Sequence, residues 1–253
     1  MDLGLKGKVA LVTGGARGIG AGICEVLAEE GANLVVNYRS DPDECEAFAY
    51  GLGEAHGVEV LAVQADISRE EEVEMLFEKA LSRFSDIPLV VNNAGAMGRS
   101  AFAHMETAEW MRFVDTNLNG MFYVSRAFCR HRLAVKGPGR GVNVLSKSAV
   151  STNSTNNVHY CATKAGGIGL TRGLTNELMA EGIVFNAIMP GYVRSHSAKF
   201  ESGTEVGEQR RSLIPSGKFG TPREMGDITA FLLSERASQI AGVILDATGG
   251  LLL

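Results

Sequence analysis

The stretch Val9-Ala10-Leu11-Val12-Thr13-Gly14-Gly15-Ala16-Arg17-Gly18-Ile19-Gly20 decides the fold. A short apolar run, typical of a buried strand, leads into a glycine turn and then into a helix that we expect to extend through Glu30. The glycines have the spacing G-x-x-x-G-x-G rather than the commoner G-x-G-x-x-G. Gly14 permits the tight turn, Gly18 lets the backbone approach a pyrophosphate, and Gly20 lets helix and strand pack closely. The stretch therefore predicts a dinucleotide site at a helix N-terminus, with a glycine-rich turn that binds nothing as the alternative.

Strand and helix patterns alternate along the rest of the chain. Further strands are predicted at 33–38, 58–64, 89–91, 142–145, 184–188 and 243–245, and helices at 42–56, 68–83, 107–132, 158–181 and 222–234. Such alternation produces right-handed βαβ units. We therefore predict an α/β fold in which residues 1–253 form a single domain, a doubly wound parallel sheet (Rossmann-type) with helices on both faces. The irregular run at about 194–219 is predicted to be a substrate loop or lid.

The composition argues against several classes of protein. The chain of 253 residues is 45% hydrophobic and 21% charged, which is typical of globular proteins. It has no apolar run near the ~18 residues of a membrane span, and its amino terminus lacks the layout of a signal peptide. Four cysteines and five histidines without metal-ligand spacing predict no metal site and a reducing, cytoplasmic location. A net charge of −5 without a basic run predicts no nucleic-acid partner.

The end of the second predicted strand indicates which dinucleotide binds. An NAD site places a carboxylate there, about 20 residues after the glycine turn, to hydrogen-bond the ribose 2′-hydroxyl. Here residues 37–40 read Asn-Tyr-Arg-Ser, and the first carboxylate is Asp41. Arg39 can hold a 2′-phosphate with two guanidinium nitrogens, and Arg17 can add a second cation. The sequence predicts NADP(H) in preference to NAD(H), unless Arg39 is only a solvated surface residue.

Tyr160 and Lys164 lie four residues apart in a predicted helix. A free phenol has a pKa of about 10 and is a weak acid–base catalyst at neutral pH. A lysine ammonium one helical turn away, with an oxidised nicotinamide nearby, favours the phenolate, so we expect Lys164 and the nicotinamide to lower the pKa of Tyr160. The pair predicts a general acid/base. The alternative is an aromatic ring packed at a helix start beside a lysine whose stem covers apolar surface.

Ordered motifs make the chain resemble the short-chain dehydrogenase/reductase family in its compact, single-domain form, as in 3-oxoacyl-carrier-protein reductases. The motifs are Thr13-Gly14-x-x-x-Gly18-Ile19-Gly20, Asn92-Asn93-Ala94-Gly95, Tyr160-x-x-x-Lys164 and Pro190-Gly191. Asp66-Ile67 and the run Asp-Ala-Thr-Gly-Gly at 246–250 also match. The resemblance extends over nearly the whole chain, from about residue 7 to residue 250.

The resemblance implies a reaction and the residues that perform it. A hydride would pass between NADP(H) and a carbonyl carbon or secondary alcohol, with Tyr160 as general acid/base. Lys164 would lower the pKa of Tyr160 and hold the nicotinamide ribose, and Asn117 would support a water-linked proton relay to Lys164. The backbone amide of Val193 would bind the nicotinamide carboxamide. The family also implies a small-molecule substrate and a homotetramer or dimer.

The catalytic serine of the family lies 13 residues before the tyrosine, which here falls on Lys147 between two serines. Strand register favours Ser146, with one residue inserted in the following loop. Ser148 would instead require a deletion of one residue. Lys147 is unusual between two serines, and it either faces an anionic substrate or is solvated.

The glycine turn, the second strand and the resemblance together assign a set of cofactor-binding residues and no metal ligand. They are Gly14, Arg17, Gly18, Ile19, Gly20, Tyr38, Arg39, Ser40, Asp66, Ile67, Asn93, Ala94, Gly95, Tyr160, Lys164, Pro190, Gly191, Val193 and Ser195.

The sequence does not identify the substrate. A 3-oxoacyl-carrier-protein reductase needs a basic patch for its acidic carrier, whereas residues 176–181 are acidic, which weakens that reading without excluding it. Ketones, sugars or polyols and hydroxysteroids are equally open. A nucleotide-binding scaffold without catalysis is an alternative of another class, and the intact Tyr160, Lys164 and Asn117 count against it.

Overall fold

The computed structural model describes residues 2–151, 155–194 and 204–253. Within them one parallel sheet has the strand order β3-β2-β1-β4-β5-β6-β7. The strands are β1 Val9–Val12, β2 Asn33–Tyr38, β3 Val60–Gln64, β4 Leu89–Asn92, β5 Gly139–Val144, β6 Ile183–Pro190 and β7 Ile244–Ala247. The predicted doubly wound parallel sheet is confirmed.

Helices cover both faces of this sheet. They are α1 Gly18–Glu29, α2 Pro42–His56, α3 Glu70–Phe84, α4 Thr107–Val114, α5 Gly120–Val135, α6 Val158–Leu178, α7 Glu205–Ser212 and α8 Pro222–Leu233. None of the helices in the described ranges combines the length and the apolar character needed to cross a bilayer.

The alternation of side chains along β1 separates two hydrophobic cores. Ala10 and Val12 pack with α1 and α8 on one face, whereas Val9 and Leu11 pack with α3 and α5 on the other. Successive side chains of a strand point to opposite faces, so a strand buried on both sides reads as a continuous apolar run. The apolar run Val9–Val12 has this property because helices cover both faces of the sheet.

The structure differs from the predicted elements at two places. The predicted helix 107–132 is divided by a π turn, Asp115–Asn119, in which the Gly120 amide donates to the Asp115 carbonyl five residues back. The apolar periodicity continues through this turn and therefore gave no sign of it. The predicted irregular run 194–219 contains α7, whose amino-terminal Thr204 accepts a hydrogen bond from the Gly207 amide at 3.1 Å.

Candidate active site

The glycine turn lies where the strand order reverses, between β1 and β4. Strands on either side of this point send their connections in opposite directions, which opens a crevice at the carboxyl edge of the sheet. Gly14 and Gly18 have φ angles of +59° and +54°, which disfavour any side chain. A Cβ on Gly20 would lie 2.1 Å from the Gly14 carbonyl oxygen, so α1 can approach the turn only because residue 20 is glycine.

The start of α1 is chemically open to an anion. Its N-cap residue, Arg17, has extended backbone and its side chain makes no capping hydrogen bond. The first amides of a helix have no intrahelical acceptor, and the helix dipole places partial positive charge there. Nothing lies within 4 Å of a Cβ built on Gly18, so this part of the turn is unobstructed. Ile19 packs against the core beneath it. The turn therefore fits the pyrophosphate of a dinucleotide.

A second loop, residues 92–95 after β4, is joined to the glycine turn by hydrogen bonds. The Thr13 hydroxyl accepts from the amides of Asn93 and Ala94, both at 3.0 Å. The side-chain amide of Asn93 donates to the carbonyls of Thr13 and Gly14 at 2.9 and 3.0 Å. Asn93, predicted to bind cofactor, has its side-chain amide committed to the protein and positions the turn.

Tyr38, predicted to bind cofactor, lies at the end of β2. Its side chain is buried, and its hydroxyl donates to a Glu46 carboxylate oxygen on α2 at 3.1 Å. Burial and this carboxylate raise the pKa of Tyr38. The phenol is thus engaged in packing β2 against α2. Cofactor binding by Tyr38 stays a prediction, and its phenol is already hydrogen-bonded to Glu46.

Arg39 and Ser40 are exposed at the end of β2. Ser40 donates to the Asp41 carboxylate at 2.8 Å. Arg17 forms ion pairs with Asp41, at 2.9 Å, and with Glu44. Arg39 is therefore the accessible cation at this end of the cleft, whereas Arg17 is shared with two carboxylates.

Asp66 and Ile67 follow β3 at the same edge. The Asp66 carboxylate accepts from the amide and the hydroxyl of Ser68, at 3.0 and 2.8 Å. Ile67 is buried, and a Cβ on Gly120 would lie 2.8 Å from its side chain. Both residues shape the edge of the cleft, Asp66 through a local turn and Ile67 through contact with α5.

Tyr160 and Ser146 come together at the end of β5. Ser146 follows the apolar end of β5. Its hydroxyl lies near the phenol of Tyr160, which is on the neighbouring α6, and it lowers the pKa of that phenol. The Ser146 hydroxyl also accepts from the Ser148 amide at 3.1 Å, which caps the short 3-10 turn Lys147–Ala149. Ser148 lies within that turn and is buried. Of the two candidate serines, the geometry favours Ser146.

Lys164 lies one turn further along α6 and is buried. Its ammonium donates to the Val144 carbonyl at 2.8 Å and lies 5.8 Å from the centroid of the Tyr160 ring. Burial raises the pKa of Tyr160, although the hydrogen bond from Ser146 opposes the rise. Burial also lowers the pKa of Lys164 to about 8. The lowering of the Tyr160 pKa by Lys164 and a nearby oxidised nicotinamide stays a prediction, and among the protein's own groups burial has the largest effect on this pKa.

Asn117 reaches the site from the π turn. Its side-chain oxygen accepts from the Ala96 amide at 2.6 Å, and its side-chain nitrogen donates to the Thr163 hydroxyl at 3.3 Å. A Cβ on Gly95 would lie 3.1 Å from Asn117 Oδ1 and 3.6 Å from Lys164 Nζ. Asn117 and Lys164 thus converge at Gly95, where only a bare backbone leaves space between them.

Pro190, Gly191 and Val193 lie at the end of β6. Pro190 pairs with β7, and a Cβ on Gly191 would lie 3.0 Å from Thr248. Val193 forms an isolated parallel bridge with Gly220, which bonds to the residues on either side of Val193. The peptide groups of Val193 itself point away from that bridge, so its amide can bind a ligand. Ser195 lies outside the described residues.

His159 is a residue that the sequence did not single out for the site. It is fully buried, stacks on Phe113 with ring centroids 3.7 Å apart, and its Nδ1 accepts from the Tyr160 amide at 2.9 Å. Nε2 therefore carries the proton of the neutral ring and lies 3.7 Å from a Glu109 oxygen. His159 fixes the backbone of the tyrosine. Its place next to Tyr160 was the only signal available.

The described residues contain no group of three or more His, Cys, Asp or Glu side chains arranged to hold a metal ion. All the described cysteines are free thiols, and burial raises the pKa of Cys24, Cys45 and Cys129.

Comparison with known proteins gives consistent relatives. Residues 14–252 match a family model described as enoyl-(acyl carrier protein) reductase. The chain is 34% identical over 251 residues to 3-oxoacyl-[acyl-carrier-protein] reductase of Aquifex aeolicus, covering 99% of this chain and 100% of the relative. It is 35% identical over 254 residues to glucose 1-dehydrogenase 2 of Bacillus subtilis, covering 98% and 96% of the two chains. Among solved structures, a short-chain dehydrogenase/reductase of Serratia marcescens matches with a TM-score of 0.91 and 30% identity, over 98% and 99% of the two chains.

Proposed function

The chain belongs to the short-chain dehydrogenase/reductase family, and on that premise we propose that it is an NADP(H)-dependent oxidoreductase that interconverts a ketone and a secondary alcohol. The observation that carries the proposal is that the Ser146 hydroxyl lies near enough to Tyr160 to lower the pKa of its phenol, with the buried Lys164 one helical turn along α6. Two hydroxyls that meet at one point can both address a single carbonyl oxygen. A dinucleotide in the adjoining cleft would supply or accept the hydride at carbon.

In the reductive direction Tyr160 Oη gives its proton to the substrate oxygen while Ser146 Oγ donates a second hydrogen bond. In oxidation the phenolate takes that proton back, because the same group must serve both directions. Burial raises the pKa of Tyr160, so the phenol holds its proton at neutral pH and is ready to donate it. Lys164 Nζ has a pKa of about 8 and lies 5.8 Å from the centroid of the Tyr160 ring, so it would return a proton to the tyrosine through an intervening group such as a water.

The resupply of that proton needs a route from solvent. Lys164 and Asn117 face each other across Gly95, and a water between them would connect the ammonium with the π turn. Asn117 would position this water, whereas His159 holds the backbone of Tyr160 through the amide at 2.9 Å. His159 is thus a positioning residue and not a catalytic one.

The preference for NADP(H) rests on the charges at the end of β2. Arg39 is exposed and accessible to a 2′-phosphate, and Arg17 lies at the start of α1 on the same side of the cleft. The carboxylates of Asp41 and Glu44 hold Arg17, so a bound phosphate would compete with them for its guanidinium. Arg39 therefore carries most of the expected discrimination.

The Tyr160→Phe variant tests the proposal directly. It removes the proton donor and keeps the ring, so reduction of ketones by NADPH is expected to fall by at least about 100-fold. NADPH binding, followed by fluorescence titration, is expected to stay within a fewfold of the unaltered protein. Undiminished turnover would remove Tyr160 from the chemistry. The assay should include 3-oxoacyl thioesters, sugars, steroids and an enoyl thioester; inactivity toward all of them would favour a nucleotide-binding scaffold.

A further inference from the structure

The loops that follow β5 and β6 bring Lys147 onto Tyr192. The two strands are neighbours in the sheet, and Lys147 comes directly after Ser146, whereas Tyr192 follows Gly191. The Lys147 ammonium lies 5.1 Å from the centroid of the Tyr192 ring. The contact therefore bridges the two loops beside the Ser146–Tyr160 pair.

A second cation reaches the same ring. Arg210, in the last turn of α7, places its guanidinium carbon 5.8 Å from the Tyr192 centroid. The carboxylate of Glu208 on that helix is engaged by Arg211, with an Nε–Oε2 distance of 2.8 Å. Two positive side chains from different elements thus contact one ring, and of the two Lys147 is the one beside Ser146.

The environment of Lys147 differs from that of a solvated lysine. The residue is half-buried, and within the described ranges no carboxylate forms an ion pair with its ammonium. An ammonium has three donors, and a ring face satisfies it on one side only. Lys147 is half-buried, and hydrogen-bond donors of its ammonium remain available beside the proposed catalytic serine. It is therefore suited to binding a negatively charged group.

We propose that the substrate is an anionic carbonyl compound whose carboxylate or phosphate binds Lys147 while its carbonyl oxygen binds Ser146 and Tyr160. The proposal rests on the oxidoreductase function proposed above and adds the substrate class. Because Lys147 directly follows Ser146, a substrate whose anionic group is a few atoms from its carbonyl could reach both side chains. A 3-oxo acid or a phosphorylated hydroxyketone has that arrangement.

Matched substrates that differ in charge test the proposal. The pairs are 3-oxobutanoate with its methyl ester, and dihydroxyacetone phosphate with dihydroxyacetone, each reduced with NADPH. The unaltered protein should prefer the anion of at least one pair, and the pair shows whether carboxylate or phosphate is bound. In Lys147→Met the KM for that anion is expected to rise by about 10- to 100-fold, the range of a charge-assisted hydrogen bond. Its kcat and the KM for the neutral partner are expected to stay within about twofold.

Two further variants control this test. Lys147→Arg keeps the charge and should recover most of the affinity for the anion. Lys79→Met makes the same change of charge on the exposed face of α3 and should leave kcat and KM unchanged for both members of each pair. Equal kcat/KM values for both members of each pair, or an equal loss for both in Lys147→Met, would overturn this inference and leave the proposed function intact. Failure to reduce any carbonyl, charged or neutral, would overturn the proposed function together with it.

Discussion

Replacing Lys164 with methionine is expected to stabilise the dinucleotide-free protein at pH 7 and to abolish its activity. Burial lowers the pKa of Lys164 from 10.5 to about 8, so keeping the ammonium inside the folded protein costs about 3 kcal/mol. Methionine fills a similar volume without a charge. It leaves the Val144 carbonyl, now 2.8 Å from the ammonium, without that donor, a loss of about 1–2 kcal/mol. The free energy of unfolding should therefore rise by about 1–2 kcal/mol.

The pH dependence of this gain has a definite sign. The unfolded lysine keeps its proton up to about 10.5, whereas the folded one releases it above about 8. Between these values the unfolded state binds more protons, so the stability of the unaltered protein rises with pH in that window. Below pH 8 both states are protonated and the cost of burial is present in full. By pH 9.5 about 2 kcal/mol of this cost should have disappeared, and the advantage of Lys164→Met with it.

Urea unfolding at pH 7 and pH 9.5 measures both quantities. The protein should be freed of dinucleotide and held at one concentration, since a ligand or partner subunit that binds only the folded state would shift the midpoint. Lys79→Met serves as the control, because Lys79 is exposed and its removal should leave the pH dependence unchanged. A destabilised Lys164→Met at pH 7, or an advantage that persists unchanged at pH 9.5, would refute the argument from burial.

Two further predictions concern the serines and the choice of cofactor. Ser146→Ala removes the hydroxyl that lies beside Tyr160 and is expected to lower kcat for ketone reduction by about 100-fold or more. Ser148→Ala, in the buried 3-10 turn, should keep kcat within a fewfold. The reverse order of the two effects would place the chemistry on Ser148. Arg39→Ala should lower kcat/KM with NADPH by about tenfold and leave NADH unaffected, and a preference of the unaltered protein for NADH would contradict the assignment of NADP(H).

The sheet was predictable because its signals are local. The apolar run before the glycine turn, and the runs after each helix, mark strands buried on both faces whatever the rest of the chain does. The π turn at Asp115–Asn119 and the helix α7 lacked such signals. The first keeps the helical periodicity of its neighbours, and the second is short and highly polar, so neither has an apolar pattern to reveal it.

The site was predictable where a residue's position on a strand end determines its surroundings, and less so where the orientation of a side chain matters. The glycine turn lies at the crevice as its spacing predicts. The Tyr38 hydroxyl is hydrogen-bonded to Glu46 of α2, a partner that the strand pattern did not indicate. The contact of Lys147 with Tyr192 joins residues 45 positions apart in the sequence. Contacts of this kind depend on tertiary packing, which local patterns do not contain.

Burial acts on the two titratable groups of the site in the same sense. Tyr160 has a raised pKa and Lys164 a lowered one, so burial shifts each group toward its uncharged form. The four-residue spacing alone predicts the opposite for the tyrosine, since it counts the attraction of the ammonium and omits the loss of water. Reduction needs the neutral phenol as proton donor, whereas oxidation needs the phenolate as base. Under the proposed function, burial of both groups therefore favours reduction at neutral pH, and oxidation would require Ser146 and the charge of the bound cofactor to stabilise the phenolate.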